Sequence, residues 1–330
     1  MYTKLISLLG LAVTAQAHMH LHYPPTLKGD NNPHTKGEPD WLLNYPYGCC
    51  DKPSPGPCKG HLDLLDTDEG KPVVTWEAGQ KANFSLSGLR IERTQENVYG
   101  GTHYGGSCQI GMSFDKGATF KVVTSWEGSC PHREGGEDPK GQVFDFTVPA
   151  DVPSGNAVFA WTWVNREREF FMNCASVTIA GGNGDNEQQP PASSAAPAPS
   201  KTQAAQQPES TGVSQYTLSG CDCKCPSQTY TKACQCSCDS PSKNRRNVER
   251  QALALHKRIL QHEEKMSAPV RRTESVAFND RPDMLIEIDW KDKSDGICHS
   301  AGNPFELKYP NPGPDVIEGD GEYKLEEPTC

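Results

Sequence analysis

Fourteen cysteines stand behind a short apolar leader, and together they constrain the fold more than any other feature of the chain. Lys4, the apolar run Leu5 to Val13 and the small-residue site Ala15-Gln16-Ala17 have the layout of a secretory signal peptide over residues 1–17. That run is too short to cross a bilayer. Cysteines delivered to an oxidising compartment are expected as structural disulfides, so the chain reads as secreted, extracellular and stapled. Covalent closure lets such a chain keep long irregular loops.

Between His18 and about Ala180, short apolar runs alternate with clusters of Gly, Pro, Asp and Ser. The runs are Pro72–Trp76, Ala82–Leu86, Cys108–Phe114, Phe120–Ser125, Val143–Val148, Ala157–Val164 and Phe170–Ile179, rich in Val, Phe, Trp and Thr. No amphipathic helix interrupts them. The expected fold is mostly β, a disulfide-stapled antiparallel β-sandwich of immunoglobulin or fibronectin type with long loops. Residues 24–71 have little strand character and three cysteines, and read as one stapled loop.

The rest of the chain divides by composition. Residues 181–220 are rich in Pro, Ser, Ala and Gln and predict a disordered linker. Residues 221–275 hold two C-x-C-x-C triplets, Cys221 to Cys225 and Cys234 to Cys238, then a helical pattern from Asn247 to Met266. The triplets could clasp a soft metal as thiolates, but the compartment favours disulfides. Residues 276–330 form a small acidic module whose only cysteines, Cys298 and Cys330, are expected to pair. Its Trp290, Phe305 and Tyr309 suit either carbohydrate contact or a mini-core. A net charge of −10 argues against nucleic acid as a partner, and no later apolar stretch is long enough to make a membrane one.

Cleavage after Ala17 would leave His18 as the first residue, offering a metal its α-amino group and its imidazole. A second histidine would complete a flat T of three nitrogens. His103 stands in Gly100-Gly101-Thr102-His103-Tyr104-Gly105-Gly106-Ser107-Cys108, where glycines permit a sharp turn and close approach. Cys130, nearby in sequence, is the expected partner of Cys108, tying that loop to the sandwich. A lone histidine in a glycine loop is ordinarily a surface residue; with His18 it becomes a candidate copper ligand. His20, third in the mature chain, offers a rival terminal chelate through two backbone amides, which strand pairing at 18–22 would prevent. In the run Glu169 to Cys174, strand alternation puts Glu169 and Phe171 on one face and Phe170, Met172 and Cys174 on the other.

Four stretches carry a family resemblance: His18 after the leader, Pro57-Cys58-Lys59-Gly60, the motif His103-x-Gly-Gly-Ser-Cys108-Gln109, and Arg168-Glu169-x-x-Met172-Asn173-Cys174-Ala175. Over 18–180 the chain resembles a fungal lytic polysaccharide monooxygenase of auxiliary-activity family eleven. The resemblance implies a catalytic β-sandwich with one copper held by His18 and His103, and Glu169 as an outer carboxylate. Phe171 stands where that motif usually has an axial Tyr. The resemblance also implies a Cys58–Cys174 disulfide, leaving the partners of Cys49 and Cys50 open. The activity it implies is a copper-dependent monooxygenase or peroxygenase, oxidising a C–H bond at the glycosidic linkage of insoluble, crystalline chitin or a related polysaccharide. Such a monomer takes electrons from an external donor and uses hydrogen peroxide or dioxygen as co-substrate. Tyr104 is a candidate surface aromatic beside the copper. Two other readings are an extracellular copper-binding protein that oxidises no polysaccharide and a non-catalytic carbohydrate-binding protein.

Overall fold

The computed structural model describes residues 18–49, 56–91, 103–183, 213–218, 221–226, 235–238, 249, 253, 270–272, 276–289 and 296–330. The leader 1–17, Cys50, Gly100 to Thr102, Cys234, Trp290, most of the 181–220 linker and nearly all of the 247–266 helical pattern lie outside the described residues.

The alternating runs become strands near their expected bounds. A strand outside those runs, β1 (His20–Tyr23), comes first; the runs themselves are β2 (Thr75–Glu77), β3 (Lys81–Ser87), β4 (Ser107–Ser113), β5 (Lys121–Glu127), β6 (Val143–Thr147), β7 (Gly155–Val164) and β8 (Phe170–Ala180). A small sheet of order β1-β3-β6 faces a larger one built around β5-β4-β7-β8-β2. Its longest ladder runs antiparallel from Gly155 opposite Ile179 to Val164 opposite Phe170. β2, at the edge, pairs with β8 in parallel.

Alternation on β8 explains the two cores. Phe171, Ala175 and Val177 point between the sheets, where Met19, Leu21, Phe84 and Leu86 meet Ile110, Phe159, Trp161 and Trp163. Phe84 on β3 lies 5.1 Å from Trp126 on β5, edge to face across the gap. Phe170, Met172 and Cys174 point the other way, into a second cluster with Leu27, Tyr47 and Cys58. The face assignment from sequence therefore holds, and both faces of β8 are buried over most of its length. The stapled loop covers that second face with short 3-10 turns at Trp41–Asn44, Pro57–Gly60, Leu62–Asp66 and Asp68–Gly70. It is pinned by the Cys58–Cys174 disulfide and by Leu27 N–H and Tyr47 N–H, which donate to the Cys174 and Phe170 carbonyls. Cys108 bonds Cys130 as expected, and Cys49 is disulfide-bonded too.

Residues 191–269 form a separate compact unit. Its sheet contains β9 (Val213–Leu218), β10 (Cys221–Pro226) and β11 (Gln235–Cys238) in the order β11-β10-β9. β9 falls within the stretch read as disordered linker. Its Val-Ser-Gln-Tyr-Thr-Leu sequence finds a full antiparallel ladder on β10, which supplies the backbone partners a linker lacks. Cys223 is bonded to Cys236 and Cys221 is disulfide-bonded, so these sulfurs are not metal-binding thiolates.

The acidic C-terminal segment differs most from expectation. The sequence sets it apart as a tail module, but 270–330 belongs to the same compact unit as the sandwich. Its strands are β12 (Val270–Arg272), β13 (Glu306–Leu307), β14 (Asp315–Glu318) and β15 (Leu325–Glu326). β14 adds in parallel to β5 and carries β12, completing a large sheet of order β12-β14-β5-β4-β7-β8-β2. Met284, Ile288, Leu307 and Tyr309 bury themselves in the second core. Each such side chain contributes about 1.5–3 kcal/mol by leaving water, which is why the segment does not stand alone. Cys298 and Cys330 pair within it as expected. Among the described residues, no helix is long and apolar enough to cross a membrane.

Candidate metal centre

His18 leads directly into β1 and is buried along with its neighbours. Met19 and Leu21 anchor this stretch in the inter-sheet core, and Leu21 N–H donates to Asn173 Oδ1 at 2.9 Å. The His18 ring meets Tyr45 edge-on, centroids 4.2 Å apart. Tyr45 is placed by the turn before it, where Asp40 caps Leu42 N–H, and by Lys59, whose Nζ donates to the Tyr45 carbonyl at 2.7 Å. Cys58 and Lys59 both adopt left-handed backbone, φ 55° and 58°, which turns the lysine inward beside Tyr47. Burial pushes the Lys59 ammonium down to about 7, despite the opposing pull of Asp40. The Pro57-Cys58-Lys59-Gly60 motif therefore supports the wall behind His18.

His20 is otherwise engaged. Its Nδ1 lies 2.8 Å from Asn44 Nδ2, and burial, with His22 close by, depresses its pKa to about 3. His20 faces Ser87 in the β1–β3 ladder. A terminal chelate through His20 would have to draw Met19 out of the core and break this pairing.

The second histidine meets a residue that sequence reasoning missed. His103 Nδ1 lies 3.1 Å from Glu167 Oε2 in the β7–β8 turn, and this carboxylate raises the imidazole pKa while its own falls. Glu169, the expected outer carboxylate, accepts from Asn165 Nδ2 at 2.6 Å and donates its own N–H to Asn165 Oδ1. Its charge adds to the pull on His103. Glu167 and Glu169 stand two apart, a spacing that could have flagged both. Phe171 is fully buried and stacked on Trp163 at 4.5 Å. Tyr104 is partly buried and packs against the inter-sheet core.

The His18 segment joins β8 where Leu21 N–H donates to Asn173, and His103 contacts Glu167 in the turn just before β8. Beside it, Tyr45 meets the His18 ring and Tyr47 N–H donates to the Phe170 carbonyl at the start of β8. With Glu167 against Nδ1, the other ring nitrogen of His103, Nε2, is the one left for a ligand. Imidazole nitrogens suit copper. Among the described residues no group of three or more His, Cys, Asp or Glu side chains could hold a metal ion. A brace needs only two imidazoles, because its third nitrogen is a backbone amine.

No protein-family model matches the chain. The AA11 family lytic polysaccharide monooxygenase A of Aspergillus fumigatus is 35% identical over 187 residues, covering 56% of this chain and 74% of that protein. An AA11 family lytic polysaccharide monooxygenase of Aspergillus oryzae is 36% identical over 196 residues, 56% of this chain and 40% of its own length. The A. fumigatus enzyme B is 39% identical over 101 residues, 27% of this chain and 24% of its own. Among solved structures, HiLPMO9B aligns with a TM-score of 0.25 at 16% identity, over 42% of this chain and 59% of its own. T.fusca AA10A aligns with a TM-score of 0.29 at 15% identity, over 49% of this chain and 100% of its own.

Proposed function

The chain belongs to the AA11 family of lytic polysaccharide monooxygenases, and from that premise we propose that His18 and His103 brace the copper of an enzyme oxidising crystalline chitin. Copper supplies the redox chemistry by which such an enzyme, fed by an electron donor, uses dioxygen or hydrogen peroxide on a polysaccharide. The remaining work falls to this chain's own residues. Removal of the 1–17 leader frees the His18 amine. Tyr45, held by Lys59, sets the plane of the His18 ring. Glu167 lies against His103 Nδ1, so Nε2 would be the ring nitrogen to hold the metal. Glu169, locked by Asn165, presents a fixed negative charge near the same site. Phe171, buried and stacked on Trp163, puts an apolar ring without a ligand atom where the family motif usually has an axial Tyr.

The observation that carries this reading is the His103–Glu167 contact, which orients a lone histidine as a ligand. Calorimetric copper titration of the mature protein tests it. His103→Ala should weaken binding by more than about tenfold, the loss seen even for a ligand's outer partners. His20→Ala should leave affinity within about twofold. The reverse pattern would put copper in the terminal chelate. Mass spectrometry of products from chitin and cellulose, with copper and reductant, tests the substrate; oxidised fragments from cellulose alone would refute chitin.

A further inference from the structure

We propose that Glu306, on the C-terminal segment, is a positioning residue for the loop that carries His103. The inference rests on the brace reading of His103.

Immediately after His103 and Tyr104 the chain turns through Gly105 and Gly106, with φ of 82° and 87°. A side chain at Gly105 would strike the Arg133 guanidinium, and one at Gly106 would strike the Val164 carbonyl. The turn thus has no side chains of its own to hold it, and its backbone groups must do so. Gly105 N–H donates to the Pro131 carbonyl at 2.8 Å, and the Gly105 carbonyl accepts Trp163 Nε1–H at 2.8 Å. The Gly106 carbonyl accepts Cys130 N–H at 3.2 Å. The fourth group, Gly106 N–H, donates at 2.7 Å to Glu306 Oε1, two hundred residues away in sequence. Three anchors come from the sandwich and one from the segment.

The Glu306 carboxylate is almost completely buried, at 3% exposure, so its charge needs compensation. Arg133 supplies it through an Nη2–Oε1 hydrogen bond, and Asp320 and Glu322 of the same segment hold Arg133 from behind. One residue on, the clamp continues: Ser107 Oγ donates to the Leu307 carbonyl at 2.5 Å, and Tyr309 Oη donates to the Ser107 carbonyl at 3.2 Å. A charged acceptor on a buried N–H makes a stronger bond than a neutral one and is costlier to lose. Glu306 therefore fixes the exit of the His103 loop, while Glu167 fixes the imidazole itself.

The test uses the mature, full-length protein with Glu306→Ala, Glu306→Gln and His103→Ala. Metal-free samples are followed by amide hydrogen exchange over 103–108, and copper affinity by titration. In Glu306→Ala, exchange should speed by at least about tenfold over those residues alone, and the copper Kd should rise by about tenfold. Glu306→Gln keeps an acceptor for Gly106 and should fall between; it carries the test if the alanine variant does not fold. The inference is overturned if both Glu306 variants stay within about twofold of wild type, or if exchange speeds equally along the β7–β8 ladder. Wild-type copper affinity in His103→Ala would instead sink the brace reading, whatever the Glu306 variants show.

Discussion

Replacing Lys59 by Met should make the protein more stable at pH 6 and less stable at pH 10. The drop of the ammonium pKa from 10.5 to about 7 states the cost of burying its charge. At about 1.4 kcal/mol per pH unit that is about 5 kcal/mol, imposed in full below pH 7. Between pH 7 and 10.5 the unfolded chain binds a proton that the folded one has released, so wild-type stability rises with pH across that window. Above it the neutral amine remains useful, since it still donates to the Tyr45 carbonyl. Methionine fills similar space without a charge, but leaves that carbonyl unmatched at a cost of about 1–3 kcal/mol. The net expectation is a gain of about 2–4 kcal/mol at pH 6 and, because about 0.8 kcal/mol of the burial cost persists at pH 10, a loss there of up to about 2 kcal/mol. Urea unfolding of both proteins at five pH values from 6 to 10 reads the difference directly, with other titrating groups cancelling. A difference that stays flat across the window would refute the buried-charge argument.

Trp163→Phe removes the donor to the buried Gly105 carbonyl while keeping a ring against Phe171, and should cost about 1–3 kcal/mol in denaturant unfolding. Glu167→Gln should bring the His103 pKa of metal-free protein back down, read by NMR titration of the imidazole. Because that pKa is raised in the folded state, the pair's stabilisation is full below the ordinary histidine pKa. It fades as pH rises through the raised value, and Glu167→Gln should flatten that part of the stability curve.

The sandwich was legible because β4, β5, β7 and β8 are seven to eleven residues long and buried on both faces over most of their length, so Val, Phe and Trp accumulate between turn residues. The alternation at Phe170 to Cys174 even separated the two cores correctly. The C-terminal segment was not legible, since its strands β13 to β15 are two to four residues long. Pairings so short leave no period in sequence, and they exist only because β5 and Gly106 offer partners far along the chain. His18 and His103 were visible as chemistry. Glu167 was hidden by its motif neighbour Glu169, and the inward turn of Lys59 depends on a backbone conformation that a lysine seldom adopts.

The return of 270–330 to the first unit has a consequence for how the polypeptide can be divided. Residues 191–269 are an excursion between two parts of one body, not an appendage at its end. The Cys58–Cys174 and Cys108–Cys130 bonds close within the part before the excursion, and Cys298–Cys330 closes within the part after it. None of these three crosses the gap. A single peptide-bond cut in the excursion beyond Cys238, its last cysteine, would leave the sheet assembled from two polypeptides, with Glu306 and Tyr309 holding on by non-covalent contact alone. Ending the chain at Ala180 would discard a sheet strand and an anchor of the His103 loop. Isolating the unit that holds the sandwich therefore means excising the middle and rejoining the ends.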